Sequence, residues 1–148
     1  MIKRQQRIER MRGVEREYLA ATSAAELLED RLRADASWGA SRGWRARDGE
    51  NLIAALEATF LVRLYAEFEA GLRDAWRKFY RKRSNPPMKD LLVAVASQRI
   101  PQVDDAHEVR QYRNTLVHEG AEEQATLISL AEARSRLCRY FSRLPEDW

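Results

Sequence analysis

Apolar positions recur at helical spacing over most of the chain. From the start to about Ala34, Met11, Val14, Tyr18, Ala21, Ala25, Leu28 and Leu32 alternate at intervals of three and four residues, which lines them up along one side of a helix. The other sides of this segment are charged, so the stripe needs a partner helix. Residues 35–49 (DASWGASRGWRARDG) hold Gly39, Gly43 and Gly49 among small and polar residues. That composition predicts a break in the helix, with Trp38 and Trp44 packing the connection down. A second long helix is expected from about Glu50 to Lys82. Its apolar residues, from Leu52, Ile53 and Leu56 through Phe60, Leu64, Phe68 and Leu72 to Trp76 and Tyr80, cover more than one face and place it centrally.

Ser84-Asn85-Pro86-Pro87 stops that helix and starts the next, since proline fits a first turn but not a helix interior. Met88 to Ser97 is a short apolar helix. Asp105 and Glu108 have capping-box spacing, and Gly120 sits where a C-terminal cap belongs, which predicts a helix over about 105–119. Ser129 and Glu132 form a further capping box for a last helix ending near Pro145, with Leu130, Ala133, Leu137, Tyr140, Phe141 and Leu144 inward. Val, Ile and Thr are scarce beside Ala and Leu, and no strand-like alternation persists. The fold class is all-α: two long antiparallel helices and two to three shorter ones.

At 148 residues the chain makes one domain, and 45% hydrophobic against 33% charged residues is the composition of a folded, water-exposed protein. The lone cysteine, Cys138, gives no disulfide framework, and it is expected to be a small buried filler beside Arg134 and Phe141. The first twelve residues are too polar for a signal peptide, and the longest apolar run, Leu91 to Ala96, is far short of the ~20 residues of a membrane span. The expected location is cytoplasmic, away from membranes. Net charge is +3, and of the 26 basic side chains only Lys3, Lys78, Lys82 and Lys89 are lysine. Arginine is the side chain whose planar fork suits phosphate, although a bias toward arginine codons gives the same excess.

The motifs GxGxxG, GxxxxGK[ST], HExxH, CxxC and GxSxG are all missing, which removes most enzyme classes. One segment stands apart, Val109 to Gly120. With Arg113 at zero on a helical wheel, Arg110 lies at about 60°, Asn114 at about 100° and His118 at about 140°. One face thus carries two guanidiniums, an amide and an imidazole, while Val109, Tyr112 and Leu116 pack on the other side of Arg113. This set suits phosphodiester chemistry on RNA: imidazole moves a proton near neutral pH, guanidinium holds a phosphate gaining charge, and the amide orients one of them. The ribose 2′-OH would be the nucleophile, so DNA would be inert. His107 lies roughly 16 Å along the helix from His118 and is too far to be the second proton carrier. Two copies of this helix meeting across a two-fold axis would bring two His118 and two Arg113 together. The same residues also fit an ordinary helix end, where histidine and arginine favour the dipole.

Arg113-Asn114-Thr115-Leu116-Val117-His118 matches the R-x4-H motif, with a polar residue after the arginine, of the HEPN superfamily of helical ribonucleases and toxins. The preceding long helix carries Leu64-Tyr65-Ala66-Glu67-Phe68-Glu69, which resembles a YAxxE-type segment of some prokaryotic branches, and Arg139 to Pro145 fits the closing helix. The resemblance covers roughly residues 50–145 and leaves the first helix outside. It implies a helical bundle, usually a homodimer with the motif helices facing each other. It also implies RNA cleavage without metal or other cofactor, with Arg113 and His118 essential and Asn114 the supporting polar residue, while Arg110 is a supporting candidate from its place on the same helical face. Members often act as toxins or in phage defence, commonly beside a small nucleotidyltransferase-like antitoxin, and some keep the fold without the activity. Glu69, among Tyr65, Leu72 and Trp76, is expected to pair with Arg113 or orient it, and Glu57 is a second candidate for that task. The alternative from a different class is a non-catalytic helical module whose arginines bind nucleotide, RNA or a partner protein. The basic cluster Lys3, Arg4, Arg7, Arg10 and Arg12 would extend an RNA surface, or is simply a solvated face.

Overall fold

The long apolar stripes find each other in the folded chain. A computed structural model describes residues 4–97, 100–118 and 125–146. Its elements are α1 (Arg4–Ala34), α2 (Ala36–Ala40), α3 (Ala46–Lys78), α4 (Met88–Ala96), α5 (Val103–Val117) and α6 (Leu130–Phe141). The fold is an all-α bundle, with no strand among the described residues. No helix among them is long and apolar enough to cross a membrane.

The 31 residues of α1 and 33 of α3 run antiparallel. Early residues of one meet late residues of the other: Arg7 pairs with Asp74, Tyr18 stacks at 5.8 Å on Phe60, and Arg33 bonds Glu50 at 2.9 Å. Met11, Val14, Ala25 and Leu32 of the α1 stripe are buried, so its partner is α3 of the same chain. At the far end the helices nearly touch. A Cβ at Gly49 would stand 3.1 Å from the Glu29 backbone, which is why glycine is tolerated there inside a helix.

The shorter helices close the core around the second half of α3. Phe68 is fully buried, with the rings of Tyr65, Tyr140 and Phe141 at 5.8, 5.6 and 6.1 Å. Tyr140 donates its hydroxyl hydrogen to Leu92 O at 2.7 Å, which ties α6 to α4. Ser129 caps α6 as its sequence predicts, accepting from the Glu132 N–H at 3.2 Å. Glu57 completes that cap, its carboxylate accepting the Leu130 N–H at 2.8 Å where the helix dipole favours negative charge. Glu57 therefore anchors α6 and does not serve Arg113.

Several boundaries differ from expectation. Residues 35–49 are largely helical, because Asp35 caps α2 through the Trp38 N–H at 3.0 Å and α3 already begins at Ala46. The shorter helices thus number four among the described residues. At its other end α3 stops at Lys78, not Lys82. Helix α5 starts at Val103 after Gln102, so Asp105 and Glu108 lie inside it and form no capping box. They face α6 instead, Asp105 within 4.0 Å of Arg139 and Glu108 paired with Arg136. Helix α6 ends at Phe141, although Leu144 beyond it is buried as expected. Gly120 lies outside the described residues. The amino-terminal arginines also serve the fold: Arg4 bonds Glu146 at 3.1 Å, and Arg7 is buried between Asp74 and Glu67. Neither belongs to an open basic surface.

Candidate functional site

Helix α5 packs through Ala106 and Val109, both fully buried, and this sets where its polar residues fall. Arg110 and Arg113, one turn apart, come to the seam between α5 and α3. The Arg113 guanidinium carbon lies 5.7 Å from the centre of the Tyr65 ring, within cation–π range, and its Nη1 donates to Asn114 Oδ1 at 3.2 Å. Among the described residues the Nε donors of Arg110 and Arg113 are both buried without an acceptor. Tyr65 is 2% exposed, and its hydroxyl likewise has no partner among them.

Burial pushes the Tyr65 hydroxyl well above the ordinary phenol range, and the Glu69 charge pushes it further. Arg110, Arg113 and Arg73 act in the opposite direction. Tyr65 therefore remains a neutral donor at physiological pH. Burial also lowers the basicity of His107, with Arg110 adding to the effect against Asp104, so this imidazole favours its neutral form.

His118 is the C-terminal cap residue of α5, with extended backbone (φ −114°, ψ 117°), and its N–H donates to Asn114 O at 2.9 Å. Its side chain is exposed. Among the described residues no side-chain hydrogen bond or ion pair joins it to Arg110, Arg113 or Asn114. The chain leaves the helix at this residue, and the position on a helical wheel no longer applies.

Glu69 departs from expectation. Its partner is Arg73, one turn along the same helix at 2.7 Å, and Arg73 is held in turn by Asn85 Oδ1 at 2.5 Å and Pro86 O at 3.2 Å. An i,i+4 neighbour is already in reach when α3 forms, whereas Arg113 must be brought from another helix. The structure thus joins Arg110, Arg113 and Asn114, places Glu69 nearby on a different arginine, and leaves His118 at the helix end. Tyr65 and Arg73 are the members that sequence reasoning missed. Glu69 and Arg73 have the spacing of a helical ion pair, and a tyrosine on a buried face calls for a hydroxyl partner, so both carried a readable signal.

Other features lie apart from this seam. A groove of about 530 Å³ is lined by Phe79, Tyr80, Val95, Ile100 and Arg143 among others, and includes none of the α5 residues. Cys138 is half-buried on α6, where burial raises its pKa and keeps it a thiol. Among the described residues no three His, Cys, Asp or Glu side chains converge as a metal-ligand set. No protein-family model, curated protein or solved structure matches the chain.

Proposed function

We propose that this chain is a metal-independent endoribonuclease of the HEPN type, acting at a site completed by two copies of α5. The observation that carries the reading is the arrangement of that helix: two half-buried guanidiniums without carboxylate partners among the described residues, and an exposed imidazole at its end. Arg110 and Arg113 hold the scissile phosphate, and Asn114 steadies Arg113 through its amide oxygen. One His118, neutral, takes the proton from the ribose 2′-OH as that oxygen attacks phosphorus. The bond from phosphorus to the 5′-oxygen breaks, and the 5′-oxygen takes a proton from the His118 of the second copy in its cationic form. The products are a 2′,3′-cyclic phosphate and a 5′-hydroxyl.

The reaction needs both a base and an acid, and each chain offers one His118, which is the reason the reading requires a second copy. Size-exclusion chromatography with light scattering tests that requirement. The expected mass at assay concentration is twice the 17.3 kDa of the chain, and an active monomer would contradict the composite site. A toxin or phage-defence role in the cytoplasm, restrained by a nucleotidyltransferase-like antitoxin, completes the proposal.

The lack of any hydrogen bond or ion pair from the His118 side chain to Arg110, Arg113 or Asn114 among the described residues favours a second reading, a non-catalytic module that binds nucleotide, RNA or an acidic partner. It predicts binding without turnover, falling steeply with salt if phosphates are the contact.

A further inference from the structure

Among the described residues seven arginines are buried or half-buried: Arg4, Arg7, Arg73, Arg110, Arg113, Arg134 and Arg136. Five of them meet a carboxylate: Arg4 with Glu146, Arg7 with Asp74, Arg73 with Glu69, Arg134 with Glu15 and Arg136 with Glu132. The two exceptions are neighbours on α5 and face the same tyrosine. Leaving two guanidiniums side by side without a counter-charge is unfavourable, and so is leaving three buried donors without acceptors. Glu69 does not relieve this, because Arg73 holds it.

The geometry points to an oxyanion pocket at the α3–α5 seam, in which the Nε groups of Arg110 and Arg113 and the hydroxyl of Tyr65 together bind a phosphoryl group. The two Nε groups can only donate and the Tyr65 hydroxyl can donate beside them, so the pocket suits a ligand rich in acceptors, and the surplus of positive charge selects an anion. In the free protein the Arg113 guanidinium lies over the Tyr65 ring, and the charge of Arg110 also acts on the hydroxyl. Their side chains are only half-buried and flexible along their stems, so an anion enters by drawing the tips outward over Tyr65. Tyr65 then contributes a third hydrogen bond from beneath. In assigning the anion to an RNA backbone phosphate the inference rests on the ribonuclease reading. Binding of the anion itself does not.

The test is thermal unfolding of the full chain in rising inorganic phosphate, with chloride at matched ionic strength as the control. A ligand that binds only the folded state raises the unfolding temperature as its concentration exceeds Kd. Phosphate is expected to stabilise the wild type beyond the chloride control. Tyr65→Phe is expected to unfold no earlier than wild type without phosphate, because it removes a buried unsatisfied hydroxyl, yet to bind phosphate about tenfold more weakly. Arg110→Gln should weaken phosphate binding at least as much. A tyrosine that only fills the core would leave phosphate binding unchanged in Tyr65→Phe, and that result overturns the pocket. Equal effects of phosphate and chloride on the wild type overturn it as well. A short ribo-oligonucleotide that competes with phosphate assigns the pocket to the RNA backbone, and failure to compete overturns that assignment. Phosphate binding without RNA cleavage contradicts the ribonuclease and leaves the pocket standing. Cleavage that ignores Tyr65→Phe, with no phosphate effect on the wild type, does the reverse.

Discussion

Replacing His118 with alanine is expected to lower RNA cleavage by about 10² to 10⁴-fold, the range removed with one general acid–base group, while leaving thermal unfolding unchanged. The second half of this expectation follows from position. His118 is exposed, ends α5, and is tied to it only through its backbone N–H, which alanine retains. The first half follows from chemistry. In a two-fold site the same substitution removes both the base and the acid, so little residual proton transfer remains. Initial rates on end-labelled RNA, read beside the unfolding curve of each protein, check both halves. Cleavage that survives the change would mean that another group moves the proton. A loss accompanied by unfolding would make His118 structural.

Phe68→Ala is expected to destabilise the chain by about 3–5 kcal/mol, the usual cost of emptying a phenylalanine site in a packed core. Phe68 is fully buried on α3 and meets rings from α6 on one side and Tyr65 on the other. Urea denaturation measures the change as a shift in midpoint at constant slope. A loss below about 1 kcal/mol would mean that α6 is not held on α3 through this ring cluster. The substitution also removes packing beside Tyr65, so the Phe68 variant should lose phosphate protection even at temperatures where it is folded.

How far these positions were readable in the sequence depended on the range of the interaction that fixes them. The α1 stripe and the apolar faces of α3 and α6 follow from periodicity, because burial of one helical face is a local pattern. The Ser129 cap was legible for the same reason. The connection between α1 and α3 was not. Gly39 and Gly49 look like helix breakers, but they sit within α2 and α3 because a side chain there would collide with Leu32, the Trp44 backbone and Glu29. Glycine meant close approach, which only the packed structure reveals. Asp105 and Glu108 had the spacing of a cap, yet α6 supplies Arg139 and Arg136 to face them, and the helix starts earlier.

The candidate site divides in the same way. Arg110, Arg113 and Asn114 share a helical face, so their grouping could be read from one helix. A carboxylate among apolar residues needs a partner, which for Glu69 points to Arg113 in sequence, but the partner is Arg73, four residues on. That Tyr65 needs a hydroxyl partner is readable from its place on α3, but that the hydroxyl stays unpaired among the described residues shows only once α5 is laid against α3. The placement of His118 depends on where α5 ends, which periodicity does not specify.

The central claim is RNA cleavage through the 2′-hydroxyl by groups on α5. The most direct measurement incubates the purified chain in EDTA with end-labelled single-stranded RNA and with DNA of the same sequence, and identifies the product ends. The account predicts cleavage of RNA alone, leaving 2′,3′-cyclic phosphate and 5′-hydroxyl ends. Cleavage of both strands, or an intact RNA after exposure to the folded dimer across several sequences, would contradict it.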